Sequence, residues 1–261
     1  FKQKTAYEIY QCDWSSDVCS SDLLPLGFSD GEFLVYPIRE FSWKWMEAFF
    51  ASDRWGVAVK NSFAIGAVSA TLATLLGTMA AVGLSRQDFW GKKVITGLVL
   101  SPLVVPIVIY AVGLYFFFAP LGLTQSYTGI VLAHAALGSP FVVVTVGASL
   151  SNFDHNLMRA AASLGASPLL AFRRVMLPLV LPGVVTGALF AFAASFDEVV
   201  TVLFLAAPEQ RTIPREMFSG LRESLSPIIA AASTVMVGTA IVLLAAVELL
   251  KRRTERMQKS A

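Results

Sequence analysis

Five apolar stretches, 61–84, 94–118, 128–150, 179–205 and 228–250, run for 23 to 27 residues each and hold 122 of the 261 residues. A helix of about 20 apolar residues crosses the hydrocarbon core of a bilayer, so each stretch can span it, some with tilt. Three of the 38 charged side chains fall inside them: Asp197, Glu198 and Glu248. The other 139 residues carry the remaining 35, a density ordinary for protein in water. The whole-chain figures of 56% hydrophobic, 15% charged and mean hydropathy +0.66 therefore average two different compositions. Buried helices of a large soluble protein usually keep a polar stripe, and 94–118 has none. The pattern predicts an all-α membrane protein, a multi-span transmembrane helical bundle. A net charge of +2 excludes a nucleic-acid binder that works through a basic surface.

Lys and Arg in the connections set orientation. Loop 85–93 holds Arg86, Lys92 and Lys93, and loop 151–178 holds Arg159, Arg173 and Arg174. The tail holds Lys251, Arg252, Arg253, Arg256 and Lys259. Connection 119–127 has no basic residue, and in 206–227 Arg211, Arg215 and Arg222 are balanced by Glu209, Glu216 and Glu223. The rule places 85–93, 151–178 and the basic tail 251–261 in the cytoplasm. Segment 23–60 is then extracytoplasmic, and 61–250 is the membrane domain.

Five spans with the C-terminus inside leave the N-terminus outside. Residues 1–22 have neither the basic start nor the apolar run of a signal peptide, so nothing visible would carry 23–60 across. This stretch, with Cys12 and Cys19, resembles translated sequencing-adapter read-through, which recurs at the ends of proteins predicted from metagenomic assemblies. The expectation is that 1–22 is non-native and replaces a first transmembrane helix. Six residues separate the cysteines, neither a redox pair nor a common zinc spacing. A disulfide in an extracytoplasmic segment is the alternative.

Loop 151–178 is far longer than the 2–8 residues usual between bundle helices. Ala160, Ala161 and Leu164 recur at helical spacing, and Gly165 can end a short helix in the left-handed region. Ser167 and Pro168 suit an N-cap and first position of a second helix. Leu169, Leu170 and Phe172 make that helix apolar on one side, and Arg173 and Arg174 place cations at its C-terminal end. The product is a helix-turn-helix that offers an apolar knob to a partner or lies on lipid headgroups.

The same loop resembles the coupling loop of ABC importer permeases: Glu-Ala-Ala, three residues, Gly, nine residues, Ile-x-Leu-Pro. Ala160, Ala161, Gly165, Leu177 and Pro178 stand at the matching places, with Val175 for the Ile and Arg159 for the acid. The resemblance covers about residues 26–255. It implies a type I importer permease fold with six spans, of which five are visible. It also implies docking of this loop on a cytoplasmic ATPase dimer, which binds the ATP. A second permease subunit and an extracytoplasmic substrate-binding protein complete the implied assembly. Segments 195–198, 208–214, 217–227 and 41–45, with Trp55, resemble the spermidine/putrescine branch. No cofactor of the chain's own is expected.

A charge within a span is costly and marks a functional site by default. On a continuous helix Glu198 lines up with Gly187, Ala191 and Ser195, a small-residue stripe begun by Gly183 and suited to close helix contact. Asp197 falls with Thr186, Phe190, Ala194 and Thr201. Asp197, Glu198, Phe196 and Thr201 are therefore candidates for the translocation pathway, toward the outer leaflet. The alternative is that both carboxylates pair with bases of a neighbouring subunit. Carboxylates with aromatics suit a passing polycation.

Among the remaining features, His134 reads as a hydrogen-bonded packing residue ahead of a proton relay. Pro102 and Pro106 predict a bend in 94–118. Trp43, Trp45 and Trp55 lie outside, on headgroups or against a partner. The chain has no GxxxxGK[ST] phosphate loop, so it is expected to be a transport subunit without its own ATPase site. A rival class is an ion-coupled transporter or channel using Asp197 and Glu198. Iron, thiamine or an opine are rival substrates.

Overall fold

The computed structural model describes residues 25–31, 40–85, 89–151, 153–154, 156–223 and 226–259. The 1–22 stretch with Cys12 and Cys19, and Arg86, lie outside the described residues. Helices follow one another as α1 (Lys44–Ala51), α2 (Asp53–Ser85), α3 (Lys92–Leu100), α4 (Ile107–Phe118) and α5 (Tyr127–Ser151). After them come α6 (Asn156–Ser163), α7 (Pro168–Ala171), α8 (Leu177–Phe196), α9 (Val200–Leu205), α10 (Ile213–Glu223) and α11 (Ile228–Lys259).

Asp53–Ser85, Tyr127–Ser151, Pro168–Phe196 and Ile228–Leu249 are each long and apolar enough to cross a bilayer. They are four of the five expected stretches with shifted ends. The fifth, 94–118, is broken rather than gently bent: α3, extended by a 3₁₀ turn to Leu103, meets α4 at 108°. The cause is local. Val104 and Val105 both donate back to the Ser101 carbonyl, at 3.0 and 2.9 Å, and Pro106 has no N–H with which to continue the ladder.

Three helices make the centre. α2 and α5 run parallel, with Ser69 Oγ donating to the Val131 carbonyl (3.2 Å) and Gly77 lying against Val142 farther along. α8 runs antiparallel to α5 along the expected small-residue stripe. A Cβ on Gly183 would meet Ser149 and Thr145, one on Gly187 would meet Thr145 and Val142, and Gly138 of α5 faces Ala191. The absence of side chains at these places lets the backbones approach closely, which is what van der Waals association in a bilayer needs. Pro140 within α5 leaves the Ala136 carbonyl without its usual donor, and Ser139 Oγ supplies one (3.1 Å).

The ends of this core differ. At the end away from loop 151–178, α1 and the start of α2 pack on α10 and α11 through Phe49, Trp55, Ile213 and Ala231. Trp55, expected on headgroups or against a partner, is 6% exposed because its ring packs 5.2 Å from that of Phe49. Trp43 is exposed and edges onto the stacked pair Phe28 and Phe41, while Trp45 donates to the Gly31 carbonyl.

Candidate functional site

Two places draw the candidate residues together: the loop between α5 and α8, and the break after α8.

The loop folds as its turn residues dictate. α6 ends at Gly165, whose φ of +82° is cheap only for glycine. Gly165 N–H donates to the Ala162 carbonyl (2.9 Å) and Ala166 N–H to the Ala161 carbonyl (3.0 Å). These are the two bonds of a Schellman C-cap. Asp154 caps the N–H of Asn156 at the other end of α6 (2.9 Å). Ser167 Oγ accepts from Leu170 N–H (3.3 Å) and opens α7 with Pro168 at its first position. A π turn, Phe172–Met176, then joins α7 to α8. Leu164 and Leu169 project, 89% and 68% exposed, so the apolar knob is present. Arg159 stands exposed and donates to Asn156 Oδ1 (2.7 Å). Ala160 and Pro178 are exposed, and Ala161 and Leu177 half-buried. Leu177 also lines, with Phe172, Val184 and the Thr74–Gly83 part of α2, an apolar groove of about 480 Å³ beside the loop.

The second place separates the two carboxylates. Span 179–205 is not one helix: α8 stops at Phe196, the helix lapses over residues 197–199, and α9 restarts at Val200. The helical-wheel grouping of Asp197 with Thr201 therefore does not hold across the break. Glu198 turns onto the new helix, and its Oε1 accepts from Thr201 N–H (2.7 Å), satisfying a donor that the first turn of α9 leaves open. The Asp197 side chain is exposed and makes no hydrogen bond or ion pair among the described residues. Phe196 (5% exposed) and Thr201 (0%) are packed inside the chain. Phe196 closes a ring trio with Phe63 (5.1 Å) and Phe192 (5.6 Å), and Phe63 keeps an exposed edge.

A profile described as "binding-protein-dependent transport system inner membrane component" matches residues 73–256, which include both places. The chain belongs to that family. The spermidine/putrescine transport system permease protein PotC of Haemophilus influenzae is 33% identical over 215 residues, covering 82% of this chain and 84% of that protein. The putrescine transport system permease protein PotI of Escherichia coli K12 is 33% identical over 205 residues, covering 76% and 73%. The fold is shared with a solved bacterial ABC transporter involved in import of the acidic polysaccharide alginate, at a TM-score of 0.65, 13% identity and 89% coverage of each chain. As a binding-protein-dependent permease, the chain is a multi-pass inner membrane protein.

The permease also carries a polar latch that the sequence did not single out. At the end opposite the loop, Asn61 Nδ2 donates to the carbonyls of Glu209 (3.2 Å) and Arg211 (3.0 Å), and Ser62 Oγ accepts from Ile213 N–H (2.8 Å). Glu216, 4% exposed, pairs with Arg54 and with Arg211 (3.5 Å). Gln210 ties the Ala207 N–H to the Gln125 carbonyl. Burial, and then the charge of Arg211, hold the Arg215 guanidinium below the usual arginine range, against the opposing pull of Glu216. The one signal in the sequence was the charge balance of 206–227.

Proposed function

We propose that the chain is the membrane-spanning permease subunit of an ATP-driven importer that moves the polyamines spermidine and putrescine by alternating access. The observation that carries the substrate class is Asp197. A carboxylate inside a span costs from about 2.5 kcal/mol against lipid, so one left exposed and unpartnered belongs where water or a cation meets it. The neighbouring Phe196 is buried, but Phe63 of the same ring trio is 41% exposed, and rings attract cations through their faces. The relatives PotC and PotI carry spermidine and putrescine in their names. Glu198 holds α9 in place, and Phe196 and Thr201 support the break from within, which leaves Asp197 as the pathway contact.

Loop 151–178 and the C-terminal tail face the cytoplasm. The hairpin of α6 and α7 docks on a cytoplasmic ABC ATPase dimer, which binds and hydrolyses the ATP, and this chain has no ATPase site or cofactor of its own. Closure of the ATPase drives the hairpin, and the π turn passes its motion directly into α8 and thus to Asp197. A second permease subunit supplies the other half of the path. An extracytoplasmic substrate-binding protein delivers the polyamine when the outer end opens, and hydrolysis returns the path to the inward-open state.

Proteoliposomes holding the assembled transporter test this with labelled putrescine and spermidine. Uptake of either should require ATP and fall at least tenfold in Asp197→Asn. Uptake unchanged by that substitution, or no polyamine uptake by an intact, ATP-hydrolysing complex, contradicts the proposal.

A further inference from the structure

His134 has no place in the coupling loop or in the contact with substrate, yet it is 1% exposed in the middle of the apolar core. Its Nδ1 lies 2.7 Å from Ser195 Oγ, across the seam between α5 and α8. Its Nε2 has no partner among the described residues, so Ser195 is the ring's polar tie.

Among the described residues, Gly183, Gly187, Thr145 and Ser149 along the seam show no such side-chain tie. Gly183, Gly187 and Ala191 present little or no side chain. The nearby hydroxyls of Thr145 and Ser149 bond carbonyls of their own helix, at 3.0 and 3.1 Å. Ser149, Thr145 and Val142 seat against Gly183 and Gly187, so this part of the seam is held by close van der Waals packing, to which the His134–Ser195 bond adds a directional tie. The His134–Ser195 bond sits at the last turn of α8, two residues before Asp197. The backbone makes one more helical bond, from Asp197 N–H to the Ala193 carbonyl (3.1 Å), and then leaves the helix. Beyond the break, Glu198 fastens Thr201. Asp197 is thus exposed between two fastened points.

We propose that His134 is a positioning residue: through Ser195 it fixes the rotation of the last turn of α8 and so sets the direction in which Asp197 projects. This rests on the pathway role of Asp197 for its effect on transport, but not for its effect on the geometry, and the two can be read separately.

The test uses the assembled transporter in proteoliposomes. For transport, Ser195→Ala and His134→Ala should each raise the apparent KM for spermidine about tenfold. The double variant should match either single one, since both remove the same bond. His134→Gln, which retains an amide able to bond Ser195, should return to within about threefold of the parent. For geometry, Asp197→Cys is placed in a chain carrying Cys12→Ser and Cys19→Ser, and its modification by a water-soluble maleimide is timed. Adding Ser195→Ala, which removes one oxygen and leaves the helix intact, should change that rate at least fivefold.

A labelling rate within twofold of the parent overturns the proposal, whatever transport does. A changed labelling rate with Asp197→Asn transporting normally upholds the positioning role and overturns the pathway role instead. Additive KM effects in the double variant also count against a shared bond.

Discussion

Asp197 and Glu198 are adjacent carboxylates in different surroundings, and the difference is one hydrogen bond. Glu198 caps the restart of α9 through Thr201 N–H. Truncating it in Glu198→Ala should cost about 1 kcal/mol, the usual loss for a helix cap. Glu198→Gln keeps an acceptor oxygen and should cost a few tenths of that. Thermal unfolding of the purified protein in detergent compares them, and equal losses would count against the cap. In the seam, Gly187→Val would drive a branched side chain against Val142 and Thr145. Overpacking of this kind costs about 1–3 kcal/mol, and the same unfolding measurement reads it. At this scale the sequence was partly legible. The stripe of Gly183, Gly187, Ala191 and Ser195 follows from helical spacing alone. The partner of His134 does not, because a lone histidine says nothing about which helix lies across from it.

The helices show where apolar runs mislead. Stretch 94–118 reads as one span, and Pro102 with Pro106 announces a disturbance, but its size of 108° depends on where the freed carbonyls find donors. Stretch 179–205 carries no proline or glycine near residue 197, so hydropathy gives no sign of the break there. The acid pair itself was the available clue, since a capping carboxylate belongs at a helix start. The α6–α7 hairpin, by contrast, was legible in detail, because Gly165, Ser167 and Pro168 each act within a few residues of themselves. No atom lies within 4 Å of a Cβ built on Gly165, so Gly165→Ala meets only the backbone cost of its positive φ. That cost is about 1–2 kcal/mol, and Gly165→Asn should be milder. Hydrogen exchange at the amides of Gly165 and Ala166 measures both. The latch predicts a third effect: Glu216→Ala leaves Arg54 and Arg211 without their shared acceptor. Loss of a charged hydrogen bond of this kind costs about 1.5–3 kcal/mol. Exchange at Ile213 N–H should rise while exchange within α5 stays as it was.

For the molecule as a whole, the division into apolar spans and charged connections predicted the multi-span bundle, because a bilayer leaves a chain few other ways to satisfy its backbone. The order in which α2, α5 and α8 pack was not legible, since their packing faces are written in small residues that look alike from helix to helix. The broken α3–α4 pair, the α8–α9 break and the projecting hairpin are all departures from a simple bundle. Two of them, the hairpin and the Asp197 break, lie at opposite ends of α8. That arrangement lets a push on the hairpin reach the carboxylate through one helix. On the proposed function, the ATPase works on Asp197 through this connection. Gly165→Val puts a branched residue at the turn of the hairpin without touching the α8–α9 break. With the assembled complex in proteoliposomes, spermidine uptake per ATP hydrolysed should fall at least tenfold in this variant. Uptake per ATP equal to that of the parent would mean that the hairpin does not couple the ATPase to Asp197.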